Sequence, residues 1–388
     1  MLTSAHIDET LRAATDSGDI AGVVAMAATD RELLYEGAAG KRSLDGEAEM
    51  TLDTVVWLAS MTKAITSAAA LQLVEQGKLS LDQPLGELLP GLAAPQILEG
   101  FDADGTPRLR PAQRAITLRH LLTHTAGFSY PFWNAGIDQY MKYADIPSIV
   151  RGKKQALNLP LLFEPGERWE YGINTDWAGQ AVEAASGTSL DTYLRDHIFA
   201  PLSMADTGFE LTAAQRTRRA GMHTRQADGS LQSTTPVEPP QNPAFISGGA
   251  GLHGTAQDYL TFLRMILNGG TLNGARILAP ETIALMTANQ IGDLTVGPMK
   301  TAMPKYANDV DFFPDMTKKW SLSFLINTKE GPAGRSANSL GWAGLANTYY
   351  WIDPKTRVAG VILMQIRPFA DTKALALYNQ FERGIYAT

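Results

Sequence analysis

Apolar positions fall into three regimes along the chain. His6 to Ser17 places Ile7, Leu11 and Ala14 on one helical face. Two strand-like runs follow, G-V-V-A-M-A-A-T and E-L-L-Y-E-G-A-A-G, around the turn Asp30-Arg31, which predicts a β-hairpin. The middle of the chain reads differently. Asp82 to Pro111 is rich in Pro, Gly and Leu, and from Thr117 helical patterns alternate with long loops. Asp258 to Asn268 is a further helix, closed by Gly269-Gly270. Strand patterns return at Trp320 to Ile326, Thr348 to Ile352 and Val358 to Gln365, with a turn at Asp353-Pro354-Lys355 joining the last two. Ala370 to Tyr386 reads as a closing helix. Strands from both ends are therefore expected to share one antiparallel sheet flanked by N- and C-terminal helices. This is an α/β region (residues 1–59 and 313–388) carrying a large, mainly helical insertion (residues 60–312). A ligand site is expected where the two meet.

One helical stretch breaks the usual amphipathic rule. In W-L-A-S-M-T-K-A-I-T-S-A-A-A-L-Q-L-V, Ala64 to Val74 carries no charge, yet Lys63 stands at its head. Burial works against a charged amine, and an amine so placed can act as base toward a neighbouring hydroxyl. Positions i and i+3 share a helix face, so Lys63 lies beside Ser60, and no other serine has a lysine three residues on. At a helix start, free N–H groups favour the negative charge of an attacking alkoxide and of the oxyanion it creates. The competing reading makes Ser60 only an N-cap.

Composition narrows the classes. The 388 residues are 45% apolar and 19% charged, as in globular proteins, and the net charge is −7. No basic cluster stands out, so nucleic acid is not an expected partner. With no cysteine, disulfides, thiolate metal sites and cysteine nucleophiles are excluded. No signal-peptide core and no run of eighteen apolar residues occur, so neither a membrane span nor export is expected and the location is read as cytoplasmic. Oligomeric state leaves no mark in the sequence.

Further segments carry candidate chemistry. Tyr171, in W-E-Y-G-I-N, could pass protons beside an ammonium, which favours its phenolate; the alternative is a core aromatic. Trp342 lies between small residues in S-L-G-W-A-G-L (339–345), which lets a strand approach a ligand and offer a backbone N–H to an oxyanion, or else marks a buried tryptophan. Tyr130 and Trp133, with Phe132, could line a pocket or form a local core. His120 and His124 have the i, i+4 spacing of a zinc pair, but Leu121 stands where the metalloprotease pattern needs glutamate, so a structural histidine in a turn is expected. No G-x-S-x-G elbow occurs.

Taken in order, S-M-T-K (60–63), L-L-T-H-T-A-G-F (121–128), Tyr171 with G-Q-A-V-E-A-A-S-G (179–187), S-G-G-A-G-L-H-G-T-A-Q-D-Y (247–259) and G-W-A-G (341–344) resemble the serine β-lactamase and penicillin-binding-protein superfamily. The chain resembles its class C branch and, within it, the family VIII carboxylesterases. The resemblance implies the β-lactamase/transpeptidase-like fold, with Ser60 as nucleophile and Lys63 and Tyr171 as proton-transfer pair. It also implies the backbone N–H groups of Ser60 and Leu345 as oxyanion hole. Trp342-Ala343-Gly344 stands where β-lactamases place Lys-Thr-Gly, and Ile173 replaces the asparagine that binds the β-lactam amide. Both changes remove polar recognition, so an apolar pocket with Ile173, Phe128, Tyr130, Trp133, Trp342, Ala343 and Gly344 is expected, taking small-molecule esters. The expectation is a carboxylesterase working through an acyl-enzyme on Ser60, with weak β-lactam hydrolysis at most and no metal or organic cofactor. Acyltransferase, amide or peptide hydrolase, β-lactamase and a non-catalytic binding protein of the same fold are the alternatives.

Overall fold

The structure, a computed structural model, describes residues 4–240 and 243–387. Its centre is a seven-stranded antiparallel sheet. The strands are β1 (Gly22–Thr29), β2 (Leu33–Gly40), β3 (Lys318–Trp320), β4 (Leu325–Asn327), β5 (Leu340–Gly344), β6 (Thr348–Asp353) and β7 (Val358–Leu363), in the spatial order β3-β4-β5-β6-β7-β1-β2. The two ends of the chain thus meet in mid-sheet, where Val24 to Thr29 pair with Leu363 to Val358. Alternation assigns the faces. Trp351 of β6 packs on Phe381 and Tyr378 of α5 (Thr372–Tyr386), whereas its neighbour Tyr350 packs on Tyr259 of α4 (Ala256–Leu267). Helix α1 (Ser4–Asp16) lies with α5 against the outer face. Trp351 is fully buried, and truncating such an aromatic costs about 3–5 kcal/mol.

The uncharged stretch forms α2 (Thr62–Glu75), buried on every side from Thr62 to Leu73, as a helix apolar all round must be. It packs against α3 (Asn174–Ser186). Two expectations need revision. Ser60 lies in a single 3-10 turn, Ala59–Met61, that leads into α2 rather than in the α-helix itself, and it caps nothing. The run Trp320 to Ile326 is two short strands, because Ser321 Oγ accepts from the amides of Ser323 and Phe324 and turns the chain. The Pro/Gly-rich stretch holds a hairpin, Gln96–Phe101 with Pro107–Pro111. Among the described residues, no helix is long and apolar enough to cross a membrane.

Candidate active site

Ser60 is placed by a constrained turn. Ala59 has φ +48°, a left-handed conformation unusual for a residue with a side chain. The turn is pinned where Thr62 Oγ1 donates to Ala59 O at 2.7 Å and the Met61 amide donates to Leu58 O. Strand β5 lies directly against it: a Cβ on Gly344 would stand 2.3 Å from Leu58 O, so only glycine allows this approach.

Lys63 is 2% exposed. Its Nζ donates to Ser60 Oγ at 3.2 Å, to Tyr130 Oη at 3.0 Å and to Gly249 O at 2.7 Å. The Gly249 carbonyl can only accept, so it fixes one N–H. The two hydroxyls can each donate or accept, so a neutral amine in the same place keeps a lone pair for the Ser60 proton. The Gly249 loop is held from behind. Asp176, wholly buried on α3, accepts from the Gly249 amide at 3.0 Å and from Ser247 Oγ at 2.6 Å. Burial pushes its carboxyl above the usual range, while the charge of Lys63 and these hydrogen bonds oppose the shift. Thr66 Oγ1 also donates to Gly248 O, and Trp57 Nε1 to Ala250 O.

The Tyr171 ring lies beside Lys63, but its hydroxyl is bonded to another group. Lys63 Nζ stands over its ring, 4.9 Å from the centroid, but its hydroxyl accepts instead from Trp342 Nε1 at 3.0 Å. Trp342 shares a sheet face with its partner Tyr350 and points to the helical side, where an indole N–H takes up the phenol oxygen. Tyr130 Oη occupies the place by Lys63 instead. Burial pushes its phenol well above its ordinary range, with the Asp176 charge and the neighbouring Tyr171 phenol acting in the same direction, so it remains protonated.

A cavity of about 440 Å³ opens at Ser60, lined mainly by apolar groups that include Tyr130, Phe132, Met141, Ile173 and Leu345. Neither the Ser60 nor the Leu345 backbone N–H is taken by a protein acceptor among the described residues. Of the residues expected in the pocket, Tyr130 and Ile173 line it. Phe128, Trp133, Trp342, Ala343 and Gly344 do not. Phe128 stacks on Trp177, Trp133 packs on Phe132 and Phe369, and Trp342 belongs to a cluster with Tyr171, Trp169, Trp320 and Phe312. Asn174 faces the core and hydrogen-bonds His124 at 2.9 Å. Burial first, and the Lys63 charge second, hold His124 well below its ordinary pKa, so it is neutral. His120 closes a capping box at Thr117. Among the described residues, no group of three or more His, Cys, Asp or Glu could hold a metal.

This fold, with a serine, a buried lysine and a tyrosine meeting between sheet and helices, defines a serine enzyme of the hydrolase or acyl-transferring kind. The chain belongs to the beta-lactamase family, whose match spans residues 7–384. It is similar to monacolin J acid methylbutanoyltransferase of Aspergillus terreus, with 33% identity covering 98% of this chain and 95% of that protein. It is equally similar to lovastatin esterase of Penicillium rubens, 33% identical with 98% of each chain covered. Among solved structures, unliganded simvastatin synthase (LovD) from Aspergillus terreus superposes with a TM-score of 0.85 at 31% identity, covering 99% of this chain and 98% of that one.

Proposed function

We propose that the protein is a serine carboxylesterase that works through an acyl-enzyme on Ser60. The observation that carries this is Lys63 Nζ, set 3.2 Å from Ser60 Oγ at the mouth of an apolar cavity. Lys63 takes the Ser60 proton as Oγ attacks the ester carbonyl. The Ser60 and Leu345 N–H groups receive the oxyanion, and each such donor is worth about 3 kcal/mol of barrier. Tyr130, bonded to Lys63 and open to the cavity, passes the proton to the departing alkoxide. Water then enters and the same groups run in reverse to release the acid. Because Ile173 offers no hydrogen bond and Asn174 faces away, β-lactams are poor substrates.

A second reading replaces water by an alcohol in the last step, giving an acyltransferase. The methylbutanoyltransferase relative favours it.

One experiment addresses both. Wild type and Ser60→Ala are assayed on p-nitrophenyl esters of increasing acyl length and on a chromogenic cephalosporin, with and without an added alcohol. Ester turnover in the wild type should fall by at least roughly a thousandfold in the variant; undiminished turnover would refute the mechanism. Faster cephalosporin than ester turnover would overturn the substrate class. A new ester that outgrows the free acid at modest alcohol concentration would establish the transferase reading.

A further inference from the structure

The cavity at Ser60 holds a positive charge that the protein leaves without a counter-ion. Arg367 lies on its wall, in the short strand Ile366–Arg367 that pairs with Met222–Arg225. Its guanidinium stands 5.8 Å from the ring centroid of Trp57 and 5.9 Å from that of Tyr306. Among the described residues no carboxylate pairs with it, and its Nε is buried without an acceptor. Two other arginines of low exposure are treated differently. Arg335 is bound by Glu382, and Arg225 by both oxygens of Asp371.

A guanidinium taken from water is costly without an anion. Burial accordingly pushes Arg367 below its ordinary value. The net charge of −7 shows that acidic residues are plentiful, yet none is set here. The remaining charges on the wall do not compensate. Asp138 is engaged by Lys142, and Arg151 adds a second cation at an exposed position. Two aromatic rings lie within cation–π reach of the guanidinium, and among the described residues its N–H groups meet no protein acceptor.

We propose that Arg367 binds a carboxylate carried by the substrate, so that the preferred ester or acyl acceptor is also an organic acid. The planar guanidinium fork matches the two-oxygen edge of a carboxylate, and because the second cation on the wall, Arg151, is exposed, the half-buried charge to be met is a single one. The inference rests on the Ser60 reading only for taking this cavity as the substrate site.

Binding without turnover tests it. Calorimetry on the Ser60→Ala protein compares benzyl hydrogen adipate, which carries the acid on the acyl side, with its methyl ester. It also compares 4-(butyryloxymethyl)benzoic acid, which carries the acid on the alcohol side, with its methyl ester and with the corresponding phenyl phosphate. In at least one pair the acid should bind at least about tenfold tighter than the ester, the strength expected of a charge-assisted contact. Arg367→Gln on the same background should close the gap and Arg367→Lys should keep part of it. On the unmutated arginine, added salt should shrink the gap, a reading that holds even where a variant fails to fold. Equal binding of acid and ester in both pairs, a gap that survives Arg367→Gln or is indifferent to salt, or tighter binding of the phosphate would overturn the assignment. Because no hydrolysis is read, failure here is distinct from failure of the esterase reading, which the Ser60→Ala turnover assay decides.

Discussion

The placement of the two tyrosines makes a prediction that separates their roles. Tyr130 Oη accepts from Lys63 Nζ at 3.0 Å and reaches the Ser60 cavity; Tyr171 Oη is held by Trp342 Nε1 at 3.0 Å and does not line it. A positioned acid contributes about 10²–10⁴-fold to a proton transfer. The size of the loss depends on how badly the leaving group needs its proton. Ethoxide is a strong base and must be protonated as it leaves; p-nitrophenolate departs as the anion. Tyr130→Phe should therefore lower kcat/KM for ethyl butyrate by about 100-fold or more, within the range for a lost acid, and for p-nitrophenyl butyrate by distinctly less. Tyr171→Phe removes the acceptor of a buried indole N–H, which costs about 1–3 kcal/mol in stability. Its melting temperature should fall, and the two esters should slow in equal proportion. Steady-state hydrolysis of both esters by both variants, with calorimetric unfolding alongside, completes the comparison. If Tyr171→Phe shows the steep dependence on leaving group and Tyr130→Phe does not, proton delivery belongs to Tyr171 and the reasoning from hydrogen-bond partners is wrong.

Two further outcomes are expected. Gly344→Ala would put a Cβ 2.3 Å from both Leu58 O and Thr348 Oγ1, so strand β5 or the Ser60 turn must move; kcat should drop by about 10²-fold, as a misplacement near 1 Å does, and wild-type kinetics in a folded variant would show that the turn is not held by this contact. His253 is buried and its pKa is depressed to about 4, chiefly by desolvation and then by the Arg219 charge. Its neutral form therefore contributes stability that is complete above the ordinary value of 6.5 and is lost as pH falls toward about 4, on the order of 3 kcal/mol in all. Urea unfolding between pH 7 and 4 should show the wild type losing more stability than His253→Leu, and parallel curves would contradict this.

What the sequence discloses, and what it withholds, follows from the range of the interactions involved. The hairpin and the helix after Ser60 are legible because their causes are local: a turn dipeptide, and eleven uncharged residues behind one lysine. The break in the Trp320–Ile326 run is not legible, because a serine hydroxyl, not a Gly or Pro, makes the turn. The small neighbours of Trp342 point to the pocket, but its position is decided by a phenol 171 residues away. Its aromatic neighbours mark Tyr130 as a pocket residue or local core, but not the bond from a lysine 67 residues away. Asp176 carries the same kind of signal as Lys63. It is a charge in an otherwise apolar stretch, W-A-G-Q-A-V following it as A-I-T-S-A-A follows Lys63. A buried charge needs a partner, and a chain with two such helices of opposite sign has an economical solution in packing them together. Helices α2 and α3 do pack together, and the two charges meet at Gly249, whose N–H donates to Asp176 and whose carbonyl accepts from Lys63. The lysine's orientation toward Ser60 is thus set through a backbone residue by a carboxylate that never touches it, an arrangement to which the sequence pointed only when both misplaced charges are read as one.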